Sequence, residues 1–310
     1  MRVKATVPSF AKLNLDLRVL HKRPDGFHEL RTIFQTVSLK DTIDIEVKLK
    51  KRTQIDCTPE IPNNLVVRAA CMLLDYLGLS GIWVCLTLFK QIPMGAGLGG
   101  GSSNAAAVLA ALPALLGRRV PLPDLLRLGE SLGSDVPFFL LGGTAVGMGR
   151  GSELYPLPDI PVRHAAIVST GIHVSTAEAY SILGREPLNS LTSHPDSPIL
   201  REFQTIAWNL GGSGLDQFPL TNDFEKPVFA RYPELSAVAQ KLRQHGAKPA
   251  QMTGSGSAVF GIFETASQAR QAVAQFPAGT AIPVRFITRR QYRAIWQKAL
   301  GPAAKDSCFA

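Results

Sequence analysis

No stretch of this 310-residue chain stays apolar for long enough to cross a bilayer. The longest such run, residues 105–116, falls well short of the roughly 20 residues that a spanning helix needs, so no membrane span is expected. Cysteine is scarce: Cys57, Cys71, Cys85 and Cys308 stand alone, without a CxxC pair. That spacing supports neither a zinc site nor a disulfide framework, and it suits a reducing cytoplasm. Acidic residues are outnumbered, 24 against 33 Lys and Arg, for a formal net charge of +9. The excess favours anionic partners through long-range steering. Yet the basic clusters (Lys48, Lys50, Lys51 and Arg52; Arg118 and Arg119; Arg289, Arg290 and Arg293) are short and lack interleaved aromatics. Nucleic acid is therefore not the expected partner, and a polyphosphate substrate and plain solvated basic faces both stay open. The N-terminus lacks the apolar segment of about 7 to 15 residues that marks a secretory signal, so the mature chain is expected to start there.

What is present is globular in character. Hydrophobic residues make up 45% of the chain and charged residues 18%, which excludes extended disorder and coiled-coil or collagen-like repeats. The length suits two domains or one large one. Alternation predicts strands at Arg2–Val7, Leu13–Val19, Phe34–Ser38 and Thr42–Val47, with a turn at Arg23-Pro24-Asp25-Gly26. Helical spacing follows at Asn63–Leu77, a strand at Trp83–Phe89, and then an alanine-rich helix that Ser102 or Ser103 can cap and Pro113 should kink or end. Another helix is predicted over Leu122–Leu132, and a Pro-rich stretch at 155–161 reads as a linker. Beyond it strands and helices alternate, 188–214 is loop-rich around one helix near Ile199–Leu210, and the tail from Gly301 is expected to be mobile.

The strongest signal is Pro93-Met94-Gly95-Ala96-Gly97-Leu98-Gly99-Gly100-Gly101-Ser102-Ser103-Asn104. Glycine lets the backbone take positive φ and approach a ligand, so successive N–H groups can line one concavity. A helix starting at its end adds unpaired N–H groups and a positive dipole end, which together make a phosphate cradle; the alternative is a merely flexible turn. Gly95, Gly97 and Gly100 satisfy GxGxxG, but no strand with an acidic residue follows about 20 positions on. Nor is there a GK[ST] ending, or the VAIK, HRD and DFG set of protein kinases.

Four further segments complete the constellation. Gly133-Ser134-Asp135-Val136-Pro137-Phe138-Phe139 sets a carboxylate at the edge of an apolar run, suited to take a proton from a substrate hydroxyl or simply to cap a helix. Thr253-Gly254-Ser255-Gly256-Ser257 is a second Gly/Ser loop ahead of a strand, able to pack on the first or donate to phosphate. In Ala11-Lys12-Leu13-Asn14-Leu15, the period of two puts Lys12 and Asn14 on one strand face, where a solvent-facing lysine is the simpler alternative. Asp25-Gly26-Phe27-His28-Glu29 presents a ring beside an imidazole, suited to stack on a nucleobase or only to pack.

In this order and spacing the segments resemble the GHMP family of small-molecule kinases, over most of residues 8–263. The resemblance implies an α+β protein of the GHMP kinase fold. Residues 1–160 would form an N-terminal ribosomal-protein-S5 domain 2-like domain carrying the phosphate loop, and 161–310 a C-terminal ferredoxin-like domain, with the active site between them. It further implies a cytoplasmic monomer or homodimer that transfers phosphate from ATP, with Mg2+ as its companion. The acceptor would be a cytidine diphosphate-linked methylerythritol of the non-mevalonate isoprenoid pathway, phosphorylated on its 2-hydroxyl. By motif position Asp135 matches the catalytic base and Lys12 its electrostatic partner. Asn64, Lys90, Pro93 and Met94 fall on the adenine side, and Gly95, Gly97, Gly99, Gly100, Gly101, Ser102 and Ser103 on the ATP phosphates. Asn14, Phe27, His28, Thr176 and Tyr180 surround the acceptor, with Phe27 and Tyr180 sandwiching the cytosine, and Gly254, Ser255 and Gly256 form a supporting loop.

The chain departs from the family pattern in places. Phe27 stands where the family more often has Tyr, Tyr180 where it has Phe, and Asn222-Asp223-Phe224-Glu225 where it has Asn-Asp-Leu-Glu. No acidic residue matches the Mg2+-binding glutamate of mevalonate-type relatives, which leaves the metal ligands unassigned. Two rival readings are a different kinase of this family, which should lack the Asp25 to His28 signature, and a non-catalytic nucleotide sensor, which should lack Asp135 and Lys12.

Overall fold

In the computed structural model, which describes residues 2–184, 198–209 and 219–309, the alternation of the first fifty residues becomes two long antiparallel strands. These are β1 (Arg2–Lys22) and β2 (His28–Leu49). Their turn is closed by the Arg23 N–H donating to the Phe27 carbonyl at 2.7 Å, with Gly26 at φ +85°. The four short strands read from the sequence are parts of these two. Register shifts between Phe10 and Ala11 and between Asn14 and Asp16 interrupt the β1 pairing. Such bulges bend a strand and re-aim its side chains, and this pair flanks Lys12 and Asn14.

β2 is long enough to serve two neighbours. Leu30–Gln35 pairs with β5 (Thr144–Gly149) and Thr42–Leu49 with β4 (Ile82–Phe89). β3 (Gln54–Thr58) lies parallel beside β4, and β6 (Glu153–Pro156) lies antiparallel beside β5. The start of the Pro-rich stretch is therefore strand rather than linker. Helices α1 (Leu65–Tyr76), α2 (Gly100–Leu115), α3 (Leu122–Leu132) and α4 (Val136–Leu141) cover this sheet. Every residue of α2 from Ser103 to Leu115 is buried. A helix apolar on all sides belongs inside, and alanine lets its neighbours approach closely. Pro113 neither kinks out nor stops it early, because it sits in the last turn, where one hydrogen bond is lost among many buried contacts.

The second sheet holds β7 (His164–Val168), β8 (Ala250–Met252), β9 (Val259–Phe263) and β10 (Ala281–Arg285), all antiparallel, in the order β10-β7-β9-β8. That order is the ferredoxin-like arrangement. Helices α5 (Thr176–Leu183), α6 (Pro198–Asn209), α7 (Glu225–Arg231) and α8 (Pro233–Gln244) precede β8, and α9 (Ala266–Val273) links β9 to β10. Of the stretch 188–214 read as loop-rich, 188–197 and 210–214 lie outside the described residues.

The C-terminal segment corrects the expectation of a mobile tail. Helix α10 (Arg289–Leu300) opens with a capping box between Thr288 and Gln291, and residues Gly301–Asp306 continue as a 3-10 helix. Tyr292, Trp296, Leu300 and Phe309 are buried in the core of the first sheet, with Phe10 and Phe139. The tail carries few charges and one phenylalanine, and burying that ring holds it down. The basic cluster is likewise not all solvated: Arg289 donates to the carbonyls of Gly142 at 3.2 Å, Leu157 at 3.0 Å and Thr144. The chain thus returns to its first core after completing the second sheet.

Candidate active site

On β1, Leu13, Leu15, Leu17 and Val19 alternate with Lys12, Asn14, Asp16 and Arg18, and both sets are buried. A buried lysine needs partners, since an unpaired charge out of water is costly. Lys12 Nζ donates to Asn14 Oδ1 at 2.5 Å and faces Asp135 Oδ2 at 3.4 Å, and it lies 5.5 Å from the centre of the Phe34 ring. Only 3% of Lys12 is exposed, so the simpler reading of a solvent-facing lysine is excluded. Asp135 sits at the N-cap of α4 but makes no side-chain capping bond. Its carboxylate is one-third exposed and faces Lys12, so the reading of a simple helix cap does not hold.

The glycine loop is shaped by what surrounds it. Gly95, Gly97 and Gly99 have φ of +66°, +77° and +71°. A Cβ on Gly97 would lie 2.2 Å from the Thr253 carbonyl oxygen, and one on Gly99 would lie 2.8 Å from the Phe139 ring and 3.2 Å from Lys12 Cγ. The Lys12 N–H donates to the Leu98 carbonyl at 3.0 Å, pinning the loop to β1. Helix α2 starts at Gly100 with Gly99, not a serine, as its N-cap, and no hydroxyl occupies its first amides. Ser103 lies inside the helix, its N–H donating to the Gly99 carbonyl at 2.8 Å while its Oγ accepts from Ser9 Oγ at 2.8 Å, and Ser102 lines the adjoining cavity. The first amides of a helix without a side-chain cap are a ready anion site.

The second Gly/Ser loop meets the first. Ala258 N–H donates to the Ala96 carbonyl at 3.1 Å, and Asn14 N–H donates to Thr253 Oγ1 at 3.0 Å. A Cβ on Gly254 would lie 3.2 Å from the Gly97 oxygen. Buried Asn222, which the sequence reading noted only as part of a motif, holds this loop by donating to the carbonyls of Met252 and Gly254 at 2.8 and 2.9 Å.

One cavity of about 600 Å³ gathers Lys12, Asn14, Gly97, Gly99, Ser102, Asp135, Phe27, His28, Thr176, Tyr180, Gly254 and Ser255 on its wall. A larger hollow, about 760 Å³, opens between β5, β6 and α6 beside exposed Trp208, and among the described residues no carboxylate lines it. Thr176 Oγ1 and Ser255 Oγ are 3.1 Å apart, joining α5 to the second loop. The two rings expected to sandwich a base each have a partner within the chain. Tyr180 stacks on His28 at 4.5 Å and 22°, and the Arg150 guanidinium lies 3.4 Å above the centre of Phe27. Arg150, in the turn after β5, also lines the cavity; the sequence reading passed over it, and only its place between two glycines could have drawn attention. Burial and then the Asp135 charge push the Tyr180 phenol far above its usual value, so it stays neutral. Burial first, then the charges of Lys22 and His21, hold the His28 imidazole below its ordinary value.

The residues assigned to the adenine side are dispersed. Asn64 caps α1 by accepting from Val66 N at 3.1 Å, donates to Cys57 Sγ at 3.3 Å, and borders a separate hollow of about 650 Å³. Met94 is 75% exposed and Pro93 half-buried. Lys90 reaches inward to Asp41 and Asn104 instead of lining either hollow. Gly95, Gly100, Gly101, Ser103 and Gly256 shape the loops without walling the cavity. Among the described residues no three His, Cys, Asp or Glu side chains converge on a metal position. Mg2+ carried on a triphosphate needs only one or two protein oxygens, and the wall offers the Ser102 hydroxyl and the Asp135 carboxylate.

Residues 64–143 match the GHMP kinases N terminal domain and residues 199–280 match GHMP kinases C terminal. A 4-diphosphocytidyl-2-C-methyl-D-erythritol kinase of Solibacter usitatus (strain Ellin6076) is 49% identical over 307 residues, covering 98% of this chain and 96% of that protein. A protein of the same name from Moorella thermoacetica is 38% identical over 270 residues, covering 86% and 92%. A solved 4-(cytidine 5'-diphospho)-2C-methyl-D-erythritol kinase superposes with a TM-score of 0.74 at 37% identity, covering 91% of this chain and 98% of that one. A homoserine kinase from Cytophaga hutchinsonii, at 20% identity and a TM-score of 0.68, shares the fold.

Proposed function

The chain belongs to the GHMP kinase family and is a kinase, and from that premise we propose that it phosphorylates the 2-hydroxyl of 4-diphosphocytidyl-2-C-methyl-D-erythritol from ATP, with Asp135 as base and Lys12 as its partner. The observation that carries this reading is the Lys12–Asp135 pair standing 3.4 Å apart on the wall where the two glycine loops meet. Asp135 is the carboxylate of that wall and accepts the hydroxyl proton, a contribution of roughly 10² to 10⁴ in rate. Lys12 stabilises the alkoxide as its charge grows, while Asn14 aims the ammonium.

The loop at 95–101 and the first amides of α2 take the ATP phosphates and the charge that moves with the transferred group. The Ser102 hydroxyl would help hold an Mg2+ carried on the nucleotide, which would supply neutralisation of phosphate charge. At the other end of the cavity Phe27, His28, Thr176 and Tyr180 receive the cytidine, each base stack contributing about 1 to 3 kcal/mol. Residues 1–160 act as the phosphate-loop half, with the returning α10 and tail packed on it, and the remainder of 161–310 as the half that brings the second loop and α5 to the cleft. The cytoplasm, where the four free thiols stay reduced, is the compartment this reading assigns.

ADP formation tests the reading. Purified protein with ATP and Mg2+ is offered the cytidyl acceptor, homoserine or mevalonate. Turnover with the first alone supports the proposal; turnover with another acceptor, or ATP binding without turnover of any, overturns it.

A further inference from the structure

The phosphate loop leaves the sheet at residue 90 and enters α2 at residue 100. Between these ends it holds three glycines at positive φ, a strand-to-helix link with little regular structure of its own. The two ends are tied together underneath by one fully buried carboxylate, Asp41 on β2. On the strand side Asp41 Oδ1 accepts from the backbone N–H of Gln91 at 2.7 Å and of Ile92 at 2.8 Å, and Oδ2 accepts from Lys90 Nζ. On the helix side Oδ2 also accepts from Asn104 Nδ2 at 2.9 Å. Asn104 closes the ring by accepting from Lys90 Nζ at 2.9 Å and donating to Ser9 Oγ at 2.7 Å, and Ser9 in turn donates to Ser103.

We propose that Asp41 is a positioning residue for nucleotide binding: acting through Lys90 and Asn104, it staples the two ends of the phosphate loop so that the loop amides are held in place before the nucleotide arrives. This rests on the reading of the 95–101 loop as the phosphate site and adds a residue that reading does not contain. Three features support a role beyond core packing. Every bond to Asp41 comes from the loop's flanks. Lys90 balances its charge, so bound phosphates do not meet a bare carboxylate behind the loop. The Lys90 ammonium also lies beside the start of α2, 3.3 Å from where a Gly100 Cβ would be. A binding loop held in its bound shape loses less entropy on binding, and aligned amides stabilise moving charge better than amides that must reorganise.

The consequence is an asymmetry between ligands. The acceptor end of the cavity, at Phe27, His28 and Tyr180, shares no hydrogen bond with this staple. Asn104→Ala and Asp41→Asn are titrated calorimetrically with ADP and, separately, with the cytidyl acceptor, and hydrogen exchange is followed at the 95–101 amides. Loss of charge-assisted bonds predicts ADP binding weakened about 10- to 100-fold, acceptor binding changed less than about threefold, and faster exchange in the loop. The same split is expected in KM for ATP against KM for the acceptor. Should Asp41→Asn fail to fold, Asn104→Ala carries the test alone, since it removes one arm and leaves the carboxylate paired with Lys90. Equal weakening of both ligands would mark the network as merely structural and overturn the proposal, as would unchanged ADP binding in a folded variant. Absence of ADP binding by the natural protein would instead defeat the phosphate-loop reading.

Discussion

His28 shows how a single side chain ties the acceptor pocket to pH. Its ring stacks on Tyr180, and burial with nearby Lys22 and His21 disfavours the imidazolium. The folded pKa lies below the ordinary 6.5, so between the two values the unfolded chain binds a proton that the folded chain refuses. The stabilisation is complete above about 6.5 and is lost as pH falls through the folded value. Thermal unfolding followed from pH 5 to 7.5 should show a steeper acid-side fall in the natural protein than in His28→Gln; parallel curves would contradict it. That Lys12 and Asp135 meet was legible in the sequence through two short local motifs. That Lys90 pairs with Asp41 was not, because the two lie 49 positions apart and only the fold joins them. Nor was the place of Asn64, expected on the adenine side, as the cap of α1 bonded to Cys57.

At the scale of elements the glycine loop is the sharpest case. Gly97→Ala would require a positive-φ alanine with its methyl 2.2 Å from the Thr253 carbonyl oxygen, which belongs to the other loop. The strain of that φ and the overlap together predict a loss of about 2 to 5 kcal/mol in denaturant unfolding, and weaker ADP binding. Gly101→Ala is the control for stability, because its φ is ordinary and its nearest protein neighbour is 3.8 Å away, and its unfolding should be unchanged. A Gly97→Ala variant as stable as the natural protein would mean the loops do not touch as described. The elements themselves were mostly readable. The helices at 65–76 and 122–132 and the strand at 82–89 follow their patterning within a residue or two. The helix cap was misread, because serine preference is a local rule and here the helix starts earlier, with Gly99 as its N-cap and Ser103 already inside it. Helix α10 escaped notice because its apolar face is only Tyr292, Trp296 and Leu300 among basic neighbours.

For the whole molecule, the two sheets are held by a buried cluster that draws on both, with Leu13, Ile33 and Val37 of the first and Ile167, Phe260 and Val284 of the second, and by a chain end that returns. β1 contributes to all three buried clusters, and α10 brings Trp296, 1% exposed, into the core of the first sheet. Trp296→Ala should therefore cost about 3 to 5 kcal/mol although it lies 161 positions from Asp135 (296 − 135). Denaturant unfolding with a loss below about 1 kcal/mol would show that the C-terminal helix is an appendage. The alternation of strands and helices beyond the Pro-rich stretch was read from patterning, while the ferredoxin-like arrangement was implied by resemblance, since short strands of three to five residues do not specify their order in a sheet.

The central claim is that Asp135, paired with Lys12 at the meeting of the two loops, takes the proton from the acceptor hydroxyl. Phosphorus NMR of reactions with ATP, Mg2+ and the cytidyl acceptor, run with the natural protein and with Asp135→Asn, tests it most directly. The account predicts a new phosphomonoester signal from the natural protein and its formation slowed by roughly 10² to 10⁴ in a variant that still binds both ligands. Formation of that product at an undiminished rate by Asp135→Asn, or release of inorganic phosphate in its place by the natural protein, would contradict it.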